Sequence, residues 1–156
     1  MLTYTTGDLL TSPAQALVNP VNTTGVMGRG LALAFAQRYP GLLPAYRTAC
    51  HRGQLAIGRP WIFRTGSVVI VNFPTKRHWR DPSRLADIEA GLRAFGPLAR
   101  SARLTSVAFP ALGCGLGGLP WDRVRPLMAR YLGPLPLDVA LYLPSPTASA
   151  RRDEGP

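Results

Sequence analysis

Short apolar runs alternate along the chain with longer stretches in which apolar residues recur at helical spacing. The short runs predict buried strands, and the longer stretches predict helices that pack on the resulting sheet. This alternation favours an α/β layer fold over a helical bundle or a β-sandwich. The predicted strands cover residues 2–6, 16–19, 61–63, 68–72, 107–109 and 139–143. The predicted helices cover residues 31–38, 44–50, 85–95 and 121–131.

Turn-forming and helix-terminating residues set the boundaries of these elements. Pro40 stops the first helix, Pro74 is predicted to end the fourth strand, and Ser83 is predicted to cap the third helix. Residues 64–67 are predicted to form a hairpin turn between the third and fourth strands. No periodicity remains after Pro144. The sequence therefore predicts one domain over residues 1–144, followed by a flexible tail or the start of a linker over residues 145–156.

The bulk composition excludes several classes of protein. A length of 156 residues fits one domain with a proper core. No apolar run approaches the roughly 20 residues of a membrane-spanning helix, and the first residues do not resemble a signal peptide, so we expect a cytoplasmic protein without a membrane partner. Cys50 and Cys114 lie far apart in the sequence, and His51 and His78 are isolated. We therefore expect no disulfide framework, no metal site and no cofactor.

A formal net charge of +10 indicates a polyanionic partner, and nucleic acid is the usual one. Arg77, His78, Trp79 and Arg80 strengthen this interpretation, because cations beside an aromatic ring suit a phosphate and a stacked base together. These four residues are predicted to bind DNA. The alternative is that genome base composition or heat adaptation produced the arginine-rich usage.

Lys76 is the single lysine among 18 basic side chains. An amine can lose its proton and attack carbon, whereas the guanidinium group of arginine cannot. Lys76 is therefore the candidate catalytic residue. The alternative is that one lysine stands by chance on a solvated loop, since buried amines tuned for reaction are uncommon.

Two glycine-rich stretches, residues 23–30 and 111–118, each follow a predicted strand and precede a predicted helix. Glycine in such loops lets backbone amides and a helix N-terminus approach a phosphate closely. One loop of this kind is also an ordinary α/β turn, but two at the carboxyl ends of strands favour a diphosphate ligand. Neither loop matches a P-loop, since no Gly-Lys-Ser/Thr follows, and neither has the dinucleotide-binding glycine spacing.

Polar side chains near the predicted strand ends supply further candidates. The amides of Asn19 and Asn22 suit ribose hydroxyls, because an amide both donates and accepts hydrogen bonds. The alternative is that these asparagines only shape a turn around the neighbouring proline. Asp8 suits the exocyclic amine of a base or, alternatively, the N-cap of a short segment at residues 9–10.

Six motifs follow one another in a recognisable order along the chain. They are Gly-Asp-Leu-Leu at 7–10, Val-Asn-Pro-Val-Asn at 18–22, Gly-Val-Met-Gly-Arg-Gly-Leu-Ala at 25–32, Phe35 with Tyr39 and Pro40, Asn-Phe-Pro-Thr-Lys at 72–76, and Pro-Ala-Leu-Gly-Cys-Gly-Leu-Gly-Gly-Leu-Pro-Trp at 110–121. Together they resemble a macro domain over nearly the whole of residues 1–144. Within that family the chain resembles the branch of terminal ADP-ribose protein glycohydrolase and the DNA-directed antitoxin DarG. The resemblance implies a three-layer α/β/α sandwich with a central mixed sheet and an ADP-ribose cleft.

The resemblance also implies a role for each matched residue. It places Asp8 on the adenine amine, with the backbone of Leu9 beside it. It places Asn22 on the distal ribose and Lys76 at the anomeric carbon, which makes these two the catalytic residues. The other implied ADP-ribose contacts are Asn19, Met27, Gly28, Arg29, Gly30, Thr75, Leu112, Gly113, Cys114, Gly115, Leu116 and Gly117.

The resulting hypothesis is a hydrolase that removes ADP-ribose from thymidine bases of single-stranded DNA and so reverses a DNA-modifying toxin of the DarT type. Burial and the neighbouring Arg77 and Arg80 are expected to acidify Lys76. The protein-directed relatives carry Asp where this chain, like the DarG branch, has Gly117. The alternatives are a reader that binds ADP-ribose without turnover, a hydrolase of protein ADP-ribosylation or of a small ADP-ribose ester, and a basic module that only holds DNA or the toxin.

Overall fold

Every strand and helix predicted from the apolar pattern is present, although several of the ends differ. The structure, a computed structural model, describes residues 1–145. A short 3₁₀ turn at Leu9–Thr11 follows the first strand. The elements are β1 (Leu2–Thr5), β2 (Ala16–Asn22), α1 (Gly30–Arg38), α2 (Leu42–His51), β3 (Trp61–Arg64), β4 (Val69–Lys76), α3 (Leu85–Ser101), β5 (Ser106–Pro110), α4 (Trp121–Leu132) and β6 (Asp138–Tyr142).

The strands form one mixed sheet in the order β1-β6-β5-β2-β4-β3. Neighbouring strands are parallel except β3, which pairs antiparallel with β4 across the predicted turn at residues 64–67. Because successive side chains of a strand point to opposite faces, Leu17 packs with Phe35 of α1 and Tyr46 of α2. The next residue, Val18, packs on the other face with side chains of α3 and α4. The predicted three-layer α/β/α sandwich is therefore confirmed.

Two prolines lie inside strands, and the prediction that Pro74 ends β4 is wrong. β4 continues to Lys76, and β2 continues past Pro20. Proline cannot donate a hydrogen bond to a ladder, so a strand tolerates it where one neighbour is missing. The β3 ladder ends at Asn72, and the β5 ladder ends at Leu17. Each proline therefore lies where its strand has a single partner, and both strands reach further than the sequence pattern predicts.

A β-bulge interrupts the pairing of β2 and β4 at their carboxyl ends. Val21 lies opposite Pro74, whereas Asn22 lies opposite Lys76, so Thr75 is the extra residue. The Thr75 hydroxyl donates to the backbone oxygen of Val21 at 3.3 Å. A bulge re-aims the side chain that follows it. Here it brings the two residues predicted to be catalytic into register on adjacent strands.

The prediction that Ser83 caps α3 is wrong. Arg84 occupies the N-cap position, and its side chain makes no capping hydrogen bond. Ser83 is buried, and its backbone nitrogen donates to the oxygen of Gly117 at 3.0 Å. Its hydroxyl has no hydrogen-bond partner within residues 1–145. Ser83 therefore joins the segment before α3 to the second glycine loop.

The last described residue is Ser145, so the tail predicted over residues 145–156 otherwise lies outside the described part of the chain. The predicted domain boundary after residue 144 stays a prediction. Among residues 1–145, no helix has the length and apolar character needed to cross a membrane.

Candidate active site

A cleft of about 580 Å³ opens at the carboxyl ends of the five parallel strands. Its volume lies within the roughly 300–1,000 Å³ of small-molecule sites. Residues at or just after the ends of β1, β2, β4, β5 and β6 form its wall, which is where open α/β sheets bind ligands. The predicted site residues that line it are Asp8, Leu9, Asn22, Gly28, Arg29, Gly30, Thr75, Lys76, Trp79, Gly113, Cys114, Gly115, Leu116 and Gly117.

Six predicted site residues do not line the cleft. Asn19 is fully buried and donates from Nδ2 to Oδ1 of Asn72 at 3.1 Å. It braces β2 against β4 inside the sheet, away from the wall of the cleft, and its predicted ligand contact stays a prediction. The side chains of Met27 and Leu112 are buried in the apolar clusters on the two faces of the sheet. The other three residues are Arg77, His78 and Arg80.

Lys76 lies in the wall of the cleft with its side chain partly buried. Its Nζ lies 3.5 Å from the backbone oxygen of Trp79. Partial burial lowers the pKa of the Lys76 amine below the ordinary lysine value. Asp81 opposes this shift, and Arg29, which lines the same cleft, adds to it. The predicted acidification of the lysine is therefore present.

The charge responsible differs from the expectation, because the cation that lowers the pKa of the Lys76 amine is Arg29, where Arg77 and Arg80 were expected. Arg77 donates from Nε and Nη2 to the two carboxylate oxygens of buried Asp87, each at 3.1 Å. The guanidinium carbon of Arg80 lies 4.4 Å from the centre of the Trp79 ring. The ring of His78 stacks on the same Trp79 ring, with 5.5 Å between the two ring centres. The loop after β4 is thus fixed to α3 by an ion pair. Within residues 77–80, Trp79 alone borders the cleft.

The Asn22 side chain organises the first glycine loop. Its Oδ1 accepts hydrogen bonds from the backbone nitrogen and the hydroxyl of Thr24, both at 3.0 Å, and from the backbone nitrogen of Val26 at 3.3 Å. Its Nδ2 donates to the oxygen of Val26 at 2.8 Å. The hydroxyl of Tyr46 lies 2.7 Å from the Asn22 backbone oxygen and 2.8 Å from Oδ1. Asn22 therefore shapes the loop as well as lining the cleft.

The two glycine loops touch each other across the cleft. Gly30 has φ 57°, in the left-handed region that favours glycine. A Cβ atom on Gly30 would lie 3.3 Å from Cδ1 of Leu116, which belongs to the second loop. The Leu116 side chain is nevertheless 60% exposed. A ligand between the loops would therefore meet backbone at the glycines of both loops, and Leu116 would border it as an apolar side chain.

A comparison with known families decides what this arrangement is. The Macro domain family model matches residues 18–128. The chain belongs to the macro domain family. It is 47% identical over 150 residues to a DNA ADP-ribosyl glycohydrolase of Mycobacterium tuberculosis (strain ATCC 25618 / H37Rv). That match covers 93% of this chain and 43% of the relative, so this macro domain spans less than half the length of that protein.

Solved structures give the same family. The macrodomain of Mycobacterium tuberculosis DarG superposes on this macro domain with a TM-score of 0.90 at 47% identity, covering 93% of this chain and 99% of that one. Thermosipho africanus DarTG, solved in complex with ADP-ribose, superposes with a TM-score of 0.89 at 39% identity. That match covers 92% of this chain and 41% of the other. The resemblance inferred from the six motifs is therefore confirmed.

Asp8 fulfils one of its two predicted roles within this macro domain. Its Oδ1 accepts a hydrogen bond from the backbone nitrogen of Leu10 at 3.0 Å, which caps the 3₁₀ turn. Asp8 also lines the cleft, and its Oδ2 has no hydrogen-bond partner among the described residues. The cap therefore does not exclude the predicted contact with a base.

The sequence reasoning missed Tyr46 and a segment at the end of β6. Tyr46 is fully buried on α2, and burial raises the pKa of its hydroxyl far above the ordinary value, so the hydroxyl stays a donor toward Asn22. An aromatic residue on the apolar side of a helix is typical of a core residue, so the sequence pattern did not indicate the contact between Tyr46 and Asn22. The missed segment carries no motif and lines the cleft with Tyr142, the last residue of β6, and with residues 143–145 that follow it.

The structure allows no side chain at Gly117. A Cβ atom at this position would clash with Oγ of Ser83 and would lie 2.6 Å from the backbone oxygen of Gly113. A Cβ atom on Gly115 would have no neighbouring atom within 4 Å. A carboxylate at position 117 therefore requires a different path for the segment before α3.

We expect Gly117→Ala to lower the free energy of unfolding by about 2 kcal/mol, because Ser83 and the backbone of Gly113 must move. The matched variant Gly115→Ala, in the same loop, is expected to stay within about 0.5 kcal/mol of the wild-type value. Urea denaturation of the three proteins measures the difference. Equal stability of the two variants would show that the contact with Ser83 costs nothing.

Proposed function

We propose that this macro domain is a DNA ADP-ribosyl glycohydrolase, which removes ADP-ribose from thymidine bases of single-stranded DNA. The observation that carries the proposal is the register of Lys76 with Asn22 at the cleft, with an amine whose pKa is lowered by burial. The 47% identity to a protein of that name supports the substrate class. The partner proposed for the reaction cycle is a DarT-type toxin, whose modification of DNA this chain would reverse.

The cleft suits ADP-ribose along its whole length in this proposal. Asp8 would accept a hydrogen bond from the adenine amine, and the backbone amides of the two glycine loops would face the diphosphate. The loops lie beside Asn22 and Lys76, which would face the distal ribose. This orientation brings the anomeric carbon to the lysine amine.

Lys76 would then act in its neutral form. The amine donates its electron pair to the anomeric carbon, and the bond between the ribose and the base breaks. The base leaves with the bonding electrons and takes up the proton that the attacking nitrogen loses. Water then displaces the lysine nitrogen, which restores the free amine and releases ADP-ribose. This route requires the unprotonated amine that burial favours.

Gly117 supports a DNA substrate over a protein substrate. The resemblance implies an acid at this position in protein-directed relatives, and Ser83 fills the space that its side chain would need. The proposed contacts of Arg77, His78, Trp79 and Arg80 with DNA also fit the border of the cleft, since Trp79 lines it and the other three surround Trp79 or follow Lys76 in the chain. A flanking base stacked on Trp79 would lie beside the reacting sugar.

The test offers the protein two labelled substrates. One is single-stranded DNA that carries ADP-ribosylated thymidine, and the other is protein that carries ester-linked ADP-ribose. We expect label to leave the DNA and to stay on the protein. Release from the protein alone would contradict the proposal. Calorimetric binding of ADP-ribose without release from either substrate would make the chain a reader.

A further inference from the structure

Acidic residues are distributed very unevenly along this chain. Residues 9–80 contain none of the eight acidic side chains but half of the 18 basic ones. That stretch includes α1 and α2, the two helices that cover one face of the sheet. The helices of the opposite face carry Asp87, Glu89 and Asp122. The α1–α2 face is therefore positive without any acid of its own to offset it.

A second, open pocket of about 870 Å³ lies on this positive face, between α2 and residues 23–26 of the first glycine loop. It is lined by Arg47, His51 and Arg52 and by threonine hydroxyls. Among residues 1–145, no carboxylate lines it. The three threonine hydroxyls already donate to protein oxygens, so the two guanidinium groups, which are usual partners of nucleic acid phosphates, would carry the contact.

This outer pocket adjoins the reaction centre. Thr23 lines the pocket, and its backbone nitrogen donates to the oxygen of Lys76 at 3.1 Å. Its hydroxyl donates to the oxygen of Arg77 at 2.6 Å. Val26 lines both the pocket and the cleft, so the first glycine loop is the wall between them. A strand that enters the cleft with one nucleotide would pass directly over this wall.

Arg47 is held in place for such a contact. Its Nε donates to the backbone oxygen of Gly25 at 3.2 Å, which fixes the side chain against the loop. No described residue accepts a hydrogen bond from its terminal nitrogens. A pre-oriented guanidinium loses little side-chain freedom when it binds a phosphate.

We infer that the outer pocket binds the sugar–phosphate backbone of the single-stranded DNA that flanks the modified thymidine, with Arg47 and Arg52 on its phosphates. This inference rests on the proposed function, because it assigns a place to the remainder of that substrate. It adds a contact surface distinct from residues 77–80. The strand would thus be held on both sides of the reacting base, by Trp79 and its neighbours on one side and by α2 on the other.

The test uses Arg52→Glu, because Arg52 is exposed at the end of α2 and its side chain makes no contact that shapes the loop. The matched control is Arg100→Glu, an exposed arginine in the last turn of α3 on the opposite face. Each protein is assayed on ADP-ribosylated thymidine within a longer single-stranded oligonucleotide and on the ADP-ribosylated nucleoside alone. Both variants are first compared with the wild-type chain in thermal unfolding.

We expect Arg52→Glu to raise KM for the oligonucleotide about tenfold and to leave the nucleoside reaction unchanged, since the nucleoside has no flanking phosphate. In a plot of log affinity for DNA against log salt concentration, the slope is expected to become less steep by about 0.7 for each phosphate contact removed. Arg100→Glu is expected to match the wild-type chain on both substrates. Equal KM values of Arg52→Glu and wild type for the oligonucleotide would overturn the inference.

A second measurement separates this inference from the proposed function. Fluorescence anisotropy with an unmodified single-stranded oligonucleotide reports backbone binding without any hydrolysis. Loss of binding in Arg52→Glu, combined with no ADP-ribose release by the wild-type chain, would contradict the proposed function and support the pocket. Release by the wild-type chain, combined with unchanged binding in Arg52→Glu, would support the function and contradict the pocket.

Discussion

Lys76→Ala is expected to release ADP-ribose from modified single-stranded DNA roughly a thousandfold more slowly than the wild-type chain. The amine is the group that would attack the sugar carbon, and alanine offers no replacement. Within residues 1–145, the Lys76 side chain makes a single hydrogen-bond contact, of 3.5 Å to the oxygen of Trp79, so its loss should not reshape the cleft. Single-turnover release measures the rate, and calorimetry with free ADP-ribose is expected to give an affinity close to that of the wild type.

Lys76→Arg serves as the matched control. Arginine keeps the positive charge but cannot become a neutral nucleophile. We therefore expect it to be nearly as slow as alanine. A wild-type rate for the alanine variant would remove the amine from the mechanism, and a wild-type rate for the arginine variant would show that charge alone is sufficient.

The pH profile of the wild-type chain tests the protonation state. The charged amine is disfavoured by burial, so its pKa is lower in the fold than the roughly 10.4 of free lysine. Because the neutral form reacts, kcat/KM is expected to rise with pH and to level off below that value. A value of kcat/KM that falls as the lysine deprotonates would assign it the role of an acid instead.

Asn22→Ala is expected to lower the free energy of unfolding by about 3 kcal/mol and the rate of release by roughly a hundredfold. The amide oxygen accepts hydrogen bonds from both Thr24 and Val26, and its nitrogen donates to Val26. Alanine leaves these loop groups without their partner, so the wall beside Lys76 loses its fixed shape. Urea denaturation and single-turnover release measure the two effects.

Tyr46→Phe separates the contribution of the Tyr46 hydroxyl from that of the hydrogen bonds between Asn22 and the loop. It removes the hydroxyl 2.8 Å from Asn22 Oδ1 but leaves every hydrogen bond between Asn22 and the loop. We expect it to cost about 1 kcal/mol of stability and to change the rate less than Asn22→Ala does. A phenylalanine variant as slow as the alanine variant would mean that Tyr46, and not the loop hydrogen bonds, positions the asparagine.

Much of the fold could be predicted because its signals are local. The short apolar run at residues 16–19 predicts a buried strand, and the helical spacing from Leu85 to Phe95 predicts a helix with one buried side. The tolerance of a strand for Pro74 could not be read in this way, because it depends on where β3 stops pairing. The predicted cap at Ser83 failed for a similar reason, since the residue packs on a loop more than 30 positions away in sequence.

The candidate site also contains some features that local sequence reveals and others that depend on the tertiary structure. The glycine loops and the single lysine are visible in sequence, because glycine spacing and a unique amine carry their chemistry in their residue type. Asn19 and Asn22 are the same residue type near the same strand end, yet Asn19 bonds within the sheet and Asn22 lines the cleft. Only the neighbours on β4 and α2 distinguish the two.

The amino-acid sequence by itself determined the α/β layers, the two loops at the strand ends and the presence of one candidate nucleophile. The tertiary structure alone decided that a bulge at Thr75 sets Lys76 opposite Asn22, that Tyr46 braces that asparagine, and that Arg77 is occupied by Asp87. The physical reason is the range of the forces involved. Periodicity and turn chemistry act between neighbours in sequence, whereas register, burial and ion pairing depend on residues that meet only after the sheet has formed.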